Sequence, residues 1–534
     1  MLISGSGRKR VLAGLAATVA ATMSARVSAD DNRGISQSGE QKNMRRVGHV
    51  DLQGRPSYQP NVIVYPDGRT IAFAGTHGGS KPNPLNGNLV EQNGTMIIDV
   101  TNPSRPVEKF HIPVPVAGGQ AQMARMCLGS DLPRGVPGRV YLLRNIQGSS
   151  ASGYEAWDVT NVTAPTLVGA MRGLRNTHKL WWECKSGLAF MPGSKDVLAS
   201  TGRRWRQGQS MVIADWSNPA APVYIRTFGL PGAEPTGTGP VPTSLHGPIS
   251  TFEHPRAGTL LARGATADDA IGNRIYLAYG VGDDGVLQIL DRKKLLAMTA
   301  DPDRPTPEQL VEPQVGILYM SPDQGGHTSM PVFGLMPASY ANFTEFKTRD
   351  IVLLASEATA DKCQEAPHWS FVVDVTVENS KAAFPAGSGT RAEPNPWQGP
   401  MVLSTMSVDP RLGERYPRGN YCTRGARFGV HSSEENFRNP FYSRVTFLAY
   451  FTGGIRAWDI REPQAPVEVG FYVPVANANT VQPDGYMTNN VEVDNRGFIY
   501  ATDRNGSGLD ILQLTGKANC IGRGTACHDD DDDD

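Results

Sequence analysis

The sequence of 534 residues contains none of the short motifs that mark nucleotide sites or common hydrolases. We find no G-x-S-x-G, no P-loop, no G-x-G-x-x-G opening a helix, no H-E-x-x-H and no EF-hand loop. These absences argue against a nucleophile elbow and against a nucleotide cofactor. An excess of charge of one sign is also lacking, because 51 Lys and Arg balance 52 Asp and Glu. The chain therefore has no electrostatic basis for nucleic-acid binding.

Helical periodicity is nearly absent, and after the N-terminus no run of 18 apolar residues occurs. We therefore expect an all-β protein without a membrane span. Glycine and proline are abundant instead, with 58 and 40 residues. This composition predicts many turns between short strands.

The N-terminus is typical of an export signal. Three basic residues at 8–10 precede an apolar stretch at 11–23, and Val27-Ser28-Ala29 fits a cleavage site. We therefore assign residues 1–29 to a signal peptide and expect a periplasmic or extracellular protein. Residues 30–58, rich in Ser, Gln, Asn and Arg, read as a flexible leader.

All six cysteines lie in the mature chain, and no C-x-x-C occurs. An even number in an oxidising compartment favours disulfides, although six cysteines allow 15 pairings. Cys520 and Cys527 are seven residues apart and are expected to close a small loop. For the others we predict the pairs Cys127–Cys184 and Cys363–Cys422. Residues 517–534 then form a C-terminal tail, which ends in six aspartates at 529–534 and whose role the sequence leaves open.

One unit recurs along the body of the chain: an apolar run, an aspartate, a turn that often ends in proline, and a second apolar run. The copies are about 69 residues apart on average, and the last has Gln in place of Asp. Their equivalent residues are Asp99, Asp158, Asp215, Asp291, Asp374, Asp459 and Gln513. We interpret the aspartates as structural, since a carboxylate can accept backbone N–H groups in the following turn.

Each unit has room for four strands and long loops. Repeated four-stranded units that close into a ring form a β-propeller, which removes exposed sheet edges by radial repetition. The sequence therefore predicts a single seven-bladed propeller over residues 59–516. We expect an N-terminal strand near residues 61–65 to close the ring.

This pattern resembles the LVIVD-repeat proteins, a family of extracytoplasmic β-propellers. The resemblance covers roughly residues 60–515 and is closest in four segments: 178–184, 245–248, 422–436 and 488–491. It implies the propeller fold, but it implies no particular reaction, because the family is defined by a repeat.

Four of the ten histidines occupy the same place in four consecutive units, just before the first strand. They are His178, His246, His327 and His431. Because the first strand of a blade is innermost, these imidazoles are expected to converge on the central channel. Imidazoles suit Fe, Cu and Zn, and a site with an open position can bind substrate or O₂. The alternative is four separate polar residues in a wet channel.

We therefore predict one transition-metal ion, Fe or Cu with Zn as the third option. Four-histidine iron on a seven-bladed propeller is the arrangement of the carotenoid-cleaving oxygenases, an analogy of architecture. Glu357 or Glu434 is a candidate for proton transfer or for orienting an imidazole. Arg203 or Arg504 could hold an anionic substrate, and Trp181 could form a substrate-stacking wall. Interblade salt bridges and packing are the alternative roles of these residues.

The leading hypothesis is an exported metal-dependent enzyme that acts on a small organic molecule at the channel mouth, with redox chemistry ahead of hydrolysis. The second hypothesis is a non-catalytic binding or scaffold propeller with a protein partner on one face. Converging imidazoles would favour the enzyme, and splayed imidazoles with an apolar patch would favour the scaffold.

Overall fold

The computed structural model describes residues 40–148, 152–196, 202–336, 348–378, 399–481 and 485–527. The predicted signal peptide and the acidic run at 529–534 lie outside the described residues. Among the helices of the described part, none is both long enough and apolar enough to cross a membrane.

Antiparallel strands dominate the described residues, and they follow one another in successive groups that we call units 1 to 7. Two strands precede unit 1: β1 (Glu40–Lys42) and β2 (Met44–Val50). Unit 1 contains β3 (Ser57–Val64), β4 (Thr70–Thr76), the hairpin β5 (Ser80–Asn83) and β6 (Leu89–Gln92), β7 (Gly94–Asp99) and β8 (Val107–Pro113). Unit 2 contains β9 (Ala124–Leu128), β10 (Val140–Ile146), β11 (Gly153–Asp158) and β12 (Thr166–Arg172). Unit 3 contains β13 (Leu174–Arg175), β14 (Trp181–Trp182), β15 (Leu188–Pro192), β16 (Ser194–Lys195), β17 (Met211–Asp215) and β18 (Val223–Phe228).

The same order continues in the second half of the chain. Unit 4 contains β19 (Leu245–Ser250), β20 (Arg274–Tyr279), β21 (Val286–Asp291) and β22 (Gln314–Tyr319). Unit 5 contains β23 (Thr328–Leu335), β24 (Arg349–Ala355), β25 (Ser370–Asp374) and β26 (Met401–Met406). Unit 6 contains β27 (Phe428–Ser433), β28 (Val445–Phe451), β29 (Ile455–Asp459) and β30 (Val467–Val473). Unit 7 contains β31 (Thr488–Val493), β32 (Phe498–Asp503) and β33 (Leu509–Leu514).

Helices are few and short in the described part. The α-helices are α1 (Arg292–Ala297), α2 (Pro307–Val311) and α3 (Gly516–Arg523). Short 3₁₀ helices occur at Leu52–Gly54, Pro84–Asn86, Ala267–Asp269, Ile271–Asn273, Pro410–Arg415 and Tyr421–Thr423. The fold class is therefore all-β, as predicted.

The units form separate sheets that close into a ring. In units 1 to 5 four strands of each unit form a sheet of their own, whereas units 6 and 7 are joined by the pair Phe451–Thr488. The first strand of every unit lies against the first strand of the next, from β3 through β31 and back to β3. Such a cycle of radially arranged sheets is a β-propeller.

The hydrophobic cores lie between neighbouring sheets. Phe73 and Ile97 of unit 1 pack with Leu142 of unit 2, and equivalent clusters join each further pair of units. The last cluster packs Leu509 and Ile511 of unit 7 against unit 1. Successive residues of each buried strand thus point alternately to the two neighbouring sheets, and both sets of side chains are buried. This is why the strands of the repeats are continuous apolar runs in the sequence.

The ring is closed by a segment that the sequence assigned to the flexible leader. Strand β2 pairs antiparallel with β33, from Met44 opposite Leu514 to Val50 opposite Leu509. Residues 40–58 are therefore part of the propeller, and the expected closure near residues 61–65 is wrong, because β3 is the innermost strand of unit 1. Closure from the N-terminus supplies the outer strand that unit 7 itself lacks.

A histidine secures this closing strand. His49 on β2 contacts Asp510 of β33 through Nδ1 at 2.8 Å and Asp51 through Nε2 at 3.0 Å. Burial alone would lower the pKa of His49, but the hydrogen bonds to both carboxylates outweigh it and raise the pKa to about 9. A protonated His49 therefore links the N-terminal strand β2 to β33, the last strand of unit 7.

The repeated aspartates have the structural role that the sequence predicted. In units 1 to 6 each aspartate is the last residue of its strand and accepts a backbone N–H in the following turn. For example, Thr101 N lies 3.0 Å from Asp99 Oδ1, and Arg461 N lies 3.0 Å from Asp459 Oδ1. The aspartates therefore terminate the third strand of these units.

Buried polar links and disulfides hold units together. Arg144 of β10 is fully buried, forms an ion pair with Glu155 at 2.8 Å, and donates to the carbonyls of Ile112 and Pro113 in unit 1. The three predicted cysteine pairs are confirmed, with Cα–Cα separations of 5.5, 5.4 and 5.5 Å for Cys127–Cys184, Cys363–Cys422 and Cys520–Cys527.

Candidate metal centre

The beginnings of five units, on or just before their first strands, bring five ring side chains together on the propeller axis. Unit 1 contributes Tyr58, and units 3 to 6 contribute the four histidines predicted from the sequence: His178, His246, His327 and His431. All are buried except His178, which keeps part of its surface accessible. The equivalent positions of neighbouring strands face the axis because the units repeat around it.

The nitrogens of the cluster point at one another and at a phenol. His178 Nε2 lies 2.7 Å from His246 Nε2. Tyr58 Oη lies 3.4, 3.4 and 3.1 Å from Nε2 of His178, His246 and His327. The fourth imidazole, His431, stands 4.2 Å from the His327 ring, measured between centroids.

A carboxylate completes the cluster on one side. The two carboxylate oxygens of Glu357 lie 3.6 Å from Nε2 of His327 and 3.6 Å from Nε2 of His431. Within the described residues, His246, His327 and Glu357 form a group whose possible ligand atoms lie within 4.8 Å of one another. Two imidazoles and a carboxylate are a donor set that iron and other transition metals accept.

Two arginines cover Glu357 toward the solvent. Arg427 donates to Glu357 Oε1 at 3.0 Å, and Arg504 lies 3.6 Å from the same oxygen. Both side chains remain partly exposed, at 22% and 25%. Burial raises the pKa of Glu357, and the two arginines oppose this shift. The site therefore combines a buried carboxylate with cationic groups at its entrance.

Backbone carbonyls orient two of the imidazoles. His246 Nδ1 donates to the carbonyl oxygen of His327 at 3.0 Å, and His431 Nδ1 donates to that of Asn489. Each bond leaves the lone pair on Nε2, which is the atom that faces the cluster. This is the usual way in which proteins fix the tautomer of a metal-binding histidine.

The electrostatics keep the imidazoles uncharged. Burial lowers the pKa of His178 to about 3, with a further contribution from the charge of Lys179. Burial likewise holds the pKa values of His246, His327 and His431 well below the ordinary value. Neutral imidazoles are the form that binds metal ions.

The spacing of the donors fits a coordination sphere. Ligands at 2.0–2.1 Å from a tetrahedral ion are about 3.3–3.4 Å apart. The three distances from Tyr58 Oη to imidazole nitrogens, 3.1–3.4 Å, match this value. Nε2 of His178 and Nε2 of His246 are only 2.7 Å apart, so these two nitrogens would have to separate slightly to bind one tetrahedral ion together. The residues present therefore fit a transition-metal ion held by imidazoles, with oxygen donors from Tyr58 and Glu357.

The other predicted site residues lie elsewhere. Glu434 is buried beyond the end of β27, where its carboxylate accepts from Asn436 N at 2.9 Å. Trp181 lies in a cavity at the far ends of the first strands, against Phe437. Arg203 is exposed at the surface. Of the predicted polar residues, the structure therefore brings only Glu357 and Arg504 to the histidines.

Two members of the cluster were missed by the sequence analysis. Tyr58 is the second residue of β3, just as His246 is the second residue of β19, so its position in unit 1 was the available signal. The prediction compared only histidines at this position and therefore did not include Tyr58. Arg427 precedes β27 directly and carries no distinguishing pattern.

One comparison with known proteins identifies the repeat. Residues 90–113 match the LVIVD repeat family, a stretch that covers β7 and β8, and this match confirms the resemblance. No curated protein matches the sequence significantly.

Several solved structures are similar at low identity. They include the Dos1 propeller (8% identity, TM-score 0.42, 88% of this chain and 96% of that chain). A putative 6-phosphogluconolactonase from Bacteroides fragilis has 9% identity and a TM-score of 0.41, with 84% and 87% covered. A hypothetical selenium-binding protein from Sulfolobus tokodaii has 10% identity and a TM-score of 0.43, with 82% and 89% covered. Likenesses of this strength do not bear on function.

Proposed function

We propose that the axial cluster binds one transition-metal ion and that the protein is an exported metal-dependent enzyme acting on a small organic molecule. The observation that carries this proposal is the convergence of Tyr58 Oη on three imidazole nitrogens at 3.1–3.4 Å. Separate polar residues in a wet channel need not converge on one point, as the phenol and the imidazoles do here.

The donor set favours Fe, with Cu and Zn as the alternatives. Four imidazoles suit all three ions, whereas oxygen donors from a phenol and a carboxylate suit the harder ions. When bound, Fe or Cu would supply redox chemistry with O₂, and Zn would supply hydrolysis. Two imidazoles with a carboxylate suit Zn as well as Fe, so it is the larger set of four imidazoles with two oxygen donors that leads us to place redox chemistry first.

The chain's own residues would then bind the substrate and handle protons. Glu357 Oε1 accepts from Arg427, so Oε2, at 3.6 Å from His327 Nε2, is the oxygen that would either bind the ion or, where imidazoles and Tyr58 hold the ion, exchange a proton with the substrate. Arg427 and Arg504 stand partly exposed beside it, so they suit a substrate with a carboxylate or another anionic group. The accessible surface of His178 lies on the same cluster and offers a route of approach.

The architecture behind this proposal is a ring of seven four-stranded blades, in which β2 completes the last blade. Seven interblade cores in cyclic order support this count. Export is supported by the three cysteine pairs, which persist in oxidising compartments. The scaffold hypothesis expected splayed imidazoles, and the observed convergence favours the enzyme.

The experiment is elemental analysis of the protein purified from its export compartment. We expect about one equivalent of Fe, Cu or Zn in the wild type and loss of that metal in His246→Ala. His111→Gln is the matched control, because His111 is equally buried but pairs with Glu91 away from the axis. A metal-free wild type that also takes up no metal on reconstitution would refute the proposal.

A further inference from the structure

A second cavity opens at the opposite end of the channel from the candidate metal centre. It encloses about 500 Å³ and is lined by the far ends of first strands, including Asn61, Arg125, Trp181, Glu435 and Glu492. None of the four axial histidines lines it. Its volume lies within the range of small-molecule sites, which is about 300–1,000 Å³.

Two buried side chains in this cavity carry polar atoms that have no hydrogen-bond partner among the described residues. Asn61 is 3% exposed, and neither its Nδ2 nor its Oδ1 is bonded; Glu492 is 5% exposed, and its Oε2 is unbonded. Arg125 Nε is a fourth buried atom without a partner among these residues. Because buried polar groups in folded proteins are nearly always paired, these atoms point to a ligand or to ordered water in the cavity.

The charged residues of the cavity are held in place before anything binds. Glu435 is buried and paired with both Lys179 and Arg125. The Arg125 guanidinium also stacks on the Trp181 ring, 4.4 Å from its centroid. The negative charge of Glu435 offsets the positive charges of Lys179 and Arg125. The cavity therefore offers hydrogen-bond donors and acceptors in fixed positions and no strong electrostatic potential of one sign.

From these contacts we propose that the cavity binds a neutral polyhydroxylated molecule, of the class of sugars and polyols. A hydroxyl group both donates and accepts, so neighbouring hydroxyls can satisfy the Asn61 amide, the Glu492 carboxyl and Arg125 Nε together. The rings of Trp181 and Phe437, whose centroids are 5.7 Å apart, provide an apolar wall against which the carbon atoms of such a ligand can pack.

The protonation state of Glu492 agrees with a neutral ligand. Burial holds the pKa of Glu492 well above the ordinary value, although Arg125 opposes the shift. A protonated carboxyl offers one O–H donor together with acceptor capacity, which a hydroxyl-rich ligand can use in both directions.

The test is calorimetric titration of the full-length mature protein with glucose, galactose, maltose and mannitol, and with gluconate as an acid of matching size. We expect at least one neutral polyol to bind with Kd of about 1 mM or tighter. Asn61→Leu and Glu492→Leu should each weaken this binding about tenfold, while Glu492→Gln should retain it within about threefold.

Two controls separate this site from other causes. His246→Ala should bind the polyol normally, so failure of the metal proposal would leave this one intact. Asn61→Leu replaces an unpaired buried amide with an apolar group of similar size, so it should unfold no earlier than the wild type. Absence of polyol binding, tighter binding of gluconate than of glucose, or unchanged affinity in Asn61→Leu would overturn the proposal and leave ordered water as the partner.

Discussion

Replacement of Tyr58 by phenylalanine tests whether the phenol oxygen, which the sequence analysis did not include in the cluster, binds the metal ion. The change removes one oxygen and keeps the ring, so packing against the imidazoles is preserved. In the metal-free protein the loss is one hydrogen-bonding group among uncharged partners, and we expect it to cost only about 1 kcal/mol of unfolding free energy.

The effect on metal binding should be much larger. Tyr58 Oη stands at ligand spacing from three imidazole nitrogens. Removal of groups that merely orient ligands costs about 10–100-fold in metal affinity, so loss of a ligand itself should reach at least about 100-fold. This corresponds to about 2.8 kcal/mol of binding free energy.

Competition with a chromophoric chelator measures this directly, with the metal that purifies with the wild type. Tyr65→Phe is the matched control, since Tyr65 is also buried but donates to the Val159 carbonyl at 2.8 Å, away from the axis. Equal metal affinities for Tyr58→Phe and the wild type would show that the phenol does not bind the ion, and would refute the reasoning from ligand spacing.

Three further predictions concern the fold. Replacing both Cys127 and Cys184 by Ser opens a loop of 57 residues and should lower the free energy of unfolding by about 4 kcal/mol in urea titrations; an unchanged value would mean the pair does not form. Arg144→Met should cost about 3 kcal/mol in the same assay, because it removes one of the two arginines paired with the buried Glu155 and the donor to the Ile112 and Pro113 carbonyls. Arg461→Met, at an exposed pair, should cost less than about 1 kcal/mol, and similar costs would contradict the assigned role of Arg144. The pKa of His49 is raised to about 9, so its contribution to the free energy of unfolding is complete below about pH 6.5 and is lost as the pH rises through about 9. The wild type should therefore be more stable than His49→Gln by at most about 3 kcal/mol at pH 6, and this difference should disappear by pH 10. A difference that grows with pH would contradict the raised pKa.

The repeat made the architecture predictable from the sequence. Each aspartate ends a strand and starts a turn, a local event that leaves a local pattern, so the units could be counted. The closing strand has no such pattern. Met44–Val50 pairs with Leu509–Leu514, more than 450 residues away, and its two arginines and histidine read as leader composition. Its place in the sheet follows only from the closed ring of the folded protein.

The site was predictable where one residue type recurs at one place in the repeat, at or just before the first strand. The four histidines met that condition and converge, whereas Tyr58 occupies the equivalent position with a different side chain. Glu434 and Trp181 each lie three residues beyond a histidine. Because a strand rises about 3.3 Å per residue, this offset carries them roughly 10 Å along the channel, away from the cluster.

The most direct test of the central claim is anomalous diffraction from crystals of the protein purified with its own metal, recorded on both sides of that metal's absorption edge. The account predicts one strong difference peak on the propeller axis, bounded by Nε2 of His246, Nε2 of His327 and Oη of Tyr58. An axis without a peak, in crystals whose metal content has been verified, would contradict it.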